Sequence, residues 1–290
     1  MSDDLRFDSL LPPEMAARAE HVGVRKAHLD AISTFALAVL AGAFIALGAI
    51  FATTVSAGGA ALPFGVVRLL AGVAFSLGLI LVIVGGAELF TGNTLIVMAW
   101  ASRKVSTGLV LRNWVIVYAG NIVGAVATAT VTFIAGQYSF GGGAVGLAAL
   151  AIGNAKSGLE FIPAVALGML CNALVCLAVW LTFSARTTTD RILAIIPPIA
   201  AFVAAGFEHS VANMYFIPEA LLIRGNAAAT FWTSIGKTAA DYPNLTLGGF
   251  LVNNLLPVTI GNIIGGAAMV GIVYWFIYLR PARAAAAPPR

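Results

Sequence analysis

Residues 32–55 carry no charged side chain, and a helix of that length can cross the roughly 30 Å hydrocarbon layer of a bilayer. In lipid every backbone N–H and C=O must be bonded internally, so a run of this kind commits the chain to helix. Five more apolar runs follow, at residues 66–100, 114–135, 161–183, 192–216 and 255–279. The run at 66–100 is too long for one straight crossing. With 60% hydrophobic and only 10% charged residues, and a mean hydropathy of +0.96, the chain is far from the balance of a soluble domain. The expectation is an all-α integral membrane protein with six transmembrane helices. Residues 1–30 form an N-terminal amphipathic segment, 31–280 one membrane domain, and 281–290 a disordered tail. The polar start of the chain has no apolar core typical of a signal peptide.

The sixteen Lys and Arg residues are divided unevenly between the two faces of a six-span arrangement. Twelve of them, from Arg6 to Arg290, fall on one side, and only Arg68, Lys156, Arg224 and Lys237 fall on the other. Cytoplasmic loops carry the excess of positive charge, which places both termini in the cytoplasm. The net charge of +4 therefore follows from topology and gives no sign of nucleic-acid binding. Cys171 and Cys176 point about 140° apart on one helix and cannot pair with each other. They are read as packing residues. In residues 11–25, Leu11, Met15, Ala19 and Val22 recur at helical spacing behind Pro12 and Pro13, as in an amphipathic helix on the cytoplasmic face. Such a helix serves either as an anchor or as a regulatory element.

Two ionisable residues stand alone in the fifth apolar run, Glu208 and His209. A charge at membrane depth costs roughly 2.5–3.5 kcal/mol on insertion scales, so it faces a cavity, a partner or a pathway. Histidine is also able to exchange a proton near neutral pH.

The surrounding residues occur twice. Gly86, Glu88 and Asn93 recur 120 positions later as Gly206, Glu208 and Asn213, and the segment Gly120-Asn121 recurs as Gly261-Asn262. Two copies of three spans enter the membrane from opposite sides, so the repeat is inverted, a pattern of channels and secondary transporters. In each copy, Gly and short polar residues compete with helical hydrogen bonding. The second and fifth helices are therefore expected to be broken, with Glu88, Asn93, Asn121, Glu208, Asn213 and Asn262 satisfying the freed backbone groups. Half-helix N-termini aimed at a common centre suit a small anion.

The segments 41–48, 86–94, 170–180, 207–214 and 254–266 (AGAFIALG, GAELFTGNT, LCNALVCLAVW, FEHSVANM and NLLPVTIGNIIGG) closely resemble the formate/nitrite transporter family. The resemblance runs over nearly the whole chain. It implies an aquaporin-like protomer with its own pore, assembled as a homopentamer in the bacterial inner membrane. The Asn-Pro-Ala pair of aquaporins is missing, against water or glycerol as cargo. By the same resemblance His209 is the central pore histidine facing Thr91. Phe75, Leu79 and Phe90 form apolar constrictions with Phe202 and Val175, Asn172 approaches the pore, and Lys156 draws anions into the outer vestibule.

The terminal segments resemble the formate-channel branch, whereas ELFTGNT leans to the nitrite branch. Formate is the expected substrate, with nitrite or hydrosulfide as the alternative. A bare anion is disfavoured at an apolar ring, where a neutral weak acid is tolerated. His209 would either lend formate its proton or steady the anion as a hydrogen-bond donor, with proton-coupled passage preferred. A haem enzyme would need two axial ligands in the membrane, yet His209 is the only histidine within a span. No cofactor is expected. The expected partners are formate, protons, the lipid bilayer and other copies of the chain.

Overall fold

The computed structural model describes residues 9–59 and 62–281. Most of the expected tail, and residues 1–8 of the expected N-terminal segment, lie outside the described residues. Among those described, six helices are long and apolar enough to cross a membrane. The helix α1, Pro12–His28, begins with prolines, whose missing N–H is no loss there, and Glu14 accepts the Leu11 N–H at 2.9 Å. The first span is α2, Ala31–Ser56, capped by Asp30, which accepts the Ser33 N–H at 2.9 Å.

The run at 66–100 resolves into several pieces. The helix α3, Phe64–Gly85, stops where Gly86 turns left-handed at φ +81°. Residues 87–89 are extended, and helix resumes as α4, Phe90–Asn93, a 3-10 turn, and α5, Val97–Ala101. The long α6, Thr107–Ile134, follows.

The second half repeats this plan. The helix α7, Ala144–Ser157, leads into the span α8, Phe161–Ser184. Next, α9, Thr188–Ala205, ends at Gly206 with φ +80°, and α10, Ser210–Asn226, resumes the helix after extended residues. A short α11, Ala229–Ile235, precedes the last span, Gly249–Leu279, in which stretches of wider i→i+5 helix alternate with α-helix.

Two sequence readings need correction. The fifth apolar run ends at 216, but α10 continues through Pro218 and Glu219 to Asn226, where both side chains are buried inside the protein. In addition, each repeat is longer than three spans: α1 leads the first copy as α7 leads the second.

Close approach of backbones holds the spans together, as expected where lipid offers no hydrophobic gain between helices. A side chain at Gly124 would collide with the Val39 carbonyl, so α6 lies directly on α2. Gly265 stands against the Met169 carbonyl in the same way and sets the last span on α8.

Candidate functional site

The two interruptions are closed by matching sets of side chains. In the first, Asn121 accepts the Phe90 N–H at 2.9 Å and donates to the carbonyls of Ala38 and Glu88 at 2.7 and 3.0 Å. In the second, Asn262 accepts the Ser210 N–H at 2.9 Å and donates to the carbonyls of Gly168 and Glu208 at 2.8 and 3.0 Å. One amide side chain thus serves an N–H and a carbonyl freed by the break and ties them to a carbonyl of the neighbouring helix, α2 or α8.

The glutamates close the same breaks from the other side. Glu88 accepts from Asn93 at 2.6 Å and from Lys26 at 2.7 Å. Glu208 accepts from Asn213 at 2.7 Å and from Lys156 at 2.8 Å. Asn93 also donates to Asn113 at 2.9 Å, and Asn113 donates to the Lys26 carbonyl at 3.2 Å. Asn254 does the same for Asn213 and the Lys156 carbonyl, at 2.7 and 3.0 Å. The match is not complete: Asn254 also donates to Glu208 at 3.2 Å, a bond Asn113 does not make to Glu88. Lys26 also donates to Asn93 at 3.0 Å, whereas the Asn213 oxygen has no partner and Lys156 sits over the Phe216 ring at 5.5 Å.

The sequence reading did not select Lys26, Asn113 or Asn254. Asn113 and Asn254 share the 141-residue offset of Asn121 and Asn262, and Lys26 and Lys156 share the 130-residue offset of Leu37 and Leu167. Leu37 and Leu167 are the residues whose carbonyls receive the Glu88 and Glu208 N–H groups. The offset differs from element to element because the connecting segments differ in length, and Asn113, Asn254 and Lys26 stand outside the short strings that repeat.

His209 is buried at the second break, and its Nε2 lies 3.0 Å from the Thr91 hydroxyl of the first. Its Nδ1 accepts the Ala212 N–H at 3.0 Å and so caps α10. An acceptor nitrogen carries no proton, so the proton of the neutral ring resides on Nε2 and is donated to Thr91. Protonating Nδ1 as well would break the cap. The Phe202 ring stacks on the imidazole at 6.0 Å, and Phe75 meets Phe202 edge-on at 5.7 Å.

On either side of this centre lies a vestibule of about 470 Å³. One is lined by Phe75, Phe202, Lys156, Glu208 and His209. The other lies beneath α1 and is lined by Lys26, Leu79, Glu88, Leu89 and Asn93. The remaining sequence-selected residues are not on these walls. Thr91, Asn172 and Val175 are buried between the two. Asn172 donates to the Asn262 carbonyl at 2.6 Å and to the Thr91 carbonyl at 3.2 Å, joining the two breaks. Phe90 packs edge-on against Tyr118 and Trp114 of α6, at 4.9 and 6.2 Å. Both cysteines are buried and free, and Cys176 lies 3.3 Å from the Thr94 hydroxyl.

The pattern of a family described as formate/nitrite transporter matches residues 13–276. The formate channel FocA of Escherichia coli strain K12 is 46% identical over 280 residues, covering 97% of this chain and 98% of that one. FocA of Haemophilus influenzae is 41% identical over 264 residues, covering 91% and 93%. A solved structure described as a pentameric formate channel with formate bound superposes with a TM-score of 0.82 at 47% identity, covering 86% and 98%.

Proposed function

The chain belongs to the formate/nitrite transporter family, and from that premise we propose that this multi-pass membrane protein conducts formate through each protomer of a homopentamer. The bacterial formate channels it resembles support an inner-membrane location, and the twelve-to-four bias of Lys and Arg supports placing both termini in the cytoplasm. It makes the α1 vestibule the cytoplasmic mouth and the Lys156 vestibule the outer one. The half-helices meet between the mouths in an aquaporin-like manner. Catalysis has no part in this reading.

The observation that carries the reading is His209, a titratable ring buried at the meeting of the two breaks and bonded to Thr91 across the two repeats. Formate enters a mouth beside Lys156 or Lys26, each of which is held by one carboxylate and retains donors for a second anion. Past the mouth, Phe75 and Phe202 on one side and Leu79 on the other present apolar walls, where the anion is disfavoured and formic acid is tolerated. Val175 and Phe90 back these walls. At the centre a formate oxygen takes the place of the Thr91 hydroxyl at Nε2. Proton transfer to formate requires an imidazolium: a proton from vestibule water is taken up at Nδ1 with release of the Ala212 N–H, the Nε2 proton passes to formate, and the ring is left neutral as the Nδ1–H tautomer until loss of that proton and uptake of one from water at Nε2 restore the cap.

The Ala212 bond favours a second reading, in which His209 stays neutral and only donates a hydrogen bond while formic acid forms in the vestibules. Counterflow of labelled formate, nitrite and hydrosulfide in proteoliposomes tests the substrate. Formate is expected to exchange fastest at equal concentration and pH. Faster exchange of nitrite would move the protein to the nitrite branch.

A further inference from the structure

The two vestibules are equal in volume but unequal in charge. The outer one is lined by Arg68 and Lys156 with Glu208, and the one beneath α1 by Arg18, Arg25, Lys26 and Arg191 with Glu88. The ion pairs Lys156–Glu208 and Lys26–Glu88 cancel within each chamber. Arg68 is then the one remaining cation among those that line the outer chamber, and its guanidinium donates to the carbonyls of Val203 and Ala204 at 2.5 and 3.2 Å. Three arginines remain inside. Arg18 bonds the Phe183 carbonyl at 3.1 Å. Among the described residues Arg25 and Arg191 have neither an ion pair nor a hydrogen bond to their guanidinium groups.

A monovalent anion such as formate needs one such cation. Three guanidiniums around one concave chamber focus a field that holds more charge than that. Their planar forks match the paired oxygens of phosphate and carboxylate groups. Within the chamber, Leu79, Leu89 and Val179 form an apolar wall that disfavours passage of a doubly charged ion. An anion that binds here and is unable to proceed blocks the mouth. We propose that the vestibule beneath α1 is a binding site for multivalent anions, bearing linked phosphate or several carboxylate groups, which compete with formate and close the pathway from that side. The proposal rests on the reading of this vestibule as one mouth of the formate path.

The test is labelled-formate counterflow in phosphatidylcholine vesicles with pyrophosphate, or in a second arm citrate, on both faces. Sodium chloride at matched ionic strength is the control. Pyrophosphate is expected to suppress exchange where chloride does not, and citrate identifies charge rather than phosphorus as the feature recognised. The pair Arg25→Gln and Arg191→Gln is expected to raise the half-blocking concentration about tenfold per arginine removed. Arg68→Gln leaves it at the wild-type value. Block no greater than that of matched chloride, or equal block in the double variant, would overturn the proposal. Calorimetric titration of pyrophosphate into the purified protein reads the same site without flux. Absent exchange in unblocked vesicles therefore counts against the formate reading alone. Absent binding of pyrophosphate, or binding unchanged by the two arginine substitutions, counts against this one.

Discussion

At the scale of single residues, the two breaks depend on Asn121 and Asn262, each of which serves one N–H and two carbonyl groups. Asn262→Ala leaves the Ser210 N–H and the Glu208 carbonyl of the break without this partner, and each unpaired buried group costs about 1–3 kcal/mol. The expected result is a clear fall in the thermal midpoint of the purified protein, with Asn121→Ala falling by a similar amount. If Asn262→Ala melts at the wild-type temperature, the amide is not the brace described. Much of this was legible in the sequence, because a buried Asn or Glu in an apolar run demands a partner. Lys26 was not. It stands on α1, whose spacing reads as a surface helix, and only the fold carries that lysine to Glu88, 62 positions away.

At the scale of elements, the interruptions could be read from Gly86 and Gly206 with polar residues behind them. The continuation of α10 past 216 could not, since Pro218 and Glu219 look like an end on any hydropathy argument. Nor does the sequence signal the i→i+5 stretches of the last span. The helix α1 packs Met15, Ala16 and Ala19 against Met98, Trp180 and Leu279, so its apolar face is covered by protein. Packing of α2 on α6 predicts that Gly124→Val forces the helices apart and lowers the yield of intact oligomer on gel filtration. A normal yield and elution volume would contradict the close contact. The α2 cap contributes no pH dependence near neutrality. The Ser33 N–H holds the Asp30 carboxyl below its ordinary range, so its contribution is complete above the unfolded pKa and is lost only as pH falls through the lower folded value. Any change in transport between pH 5 and 8 therefore originates elsewhere.

At the scale of the whole molecule, large apolar side chains such as Leu111, Val115, Val131 and Ile134 are exposed on the outside of the protomer, as expected for a surface that meets lipid or another copy. Native mass spectrometry is expected to give five copies, and another stoichiometry would remove the pentamer from the account. In the proposed function the two halves meet at a histidine that couples formate to a proton. His209→Asn retains an oxygen that can accept the Ala212 N–H, so the assembly is expected to survive on gel filtration, but an amide cannot titrate. The decisive measurement is formate uptake from pH 5 to 8 in wild type and His209→Asn, after subtraction of protein-free vesicles. The account predicts uptake that rises as pH falls in the wild type, and a flattened, much weaker dependence in the variant. Superimposable profiles from an intact assembly would contradict it and leave His209 as the cap of α10 alone.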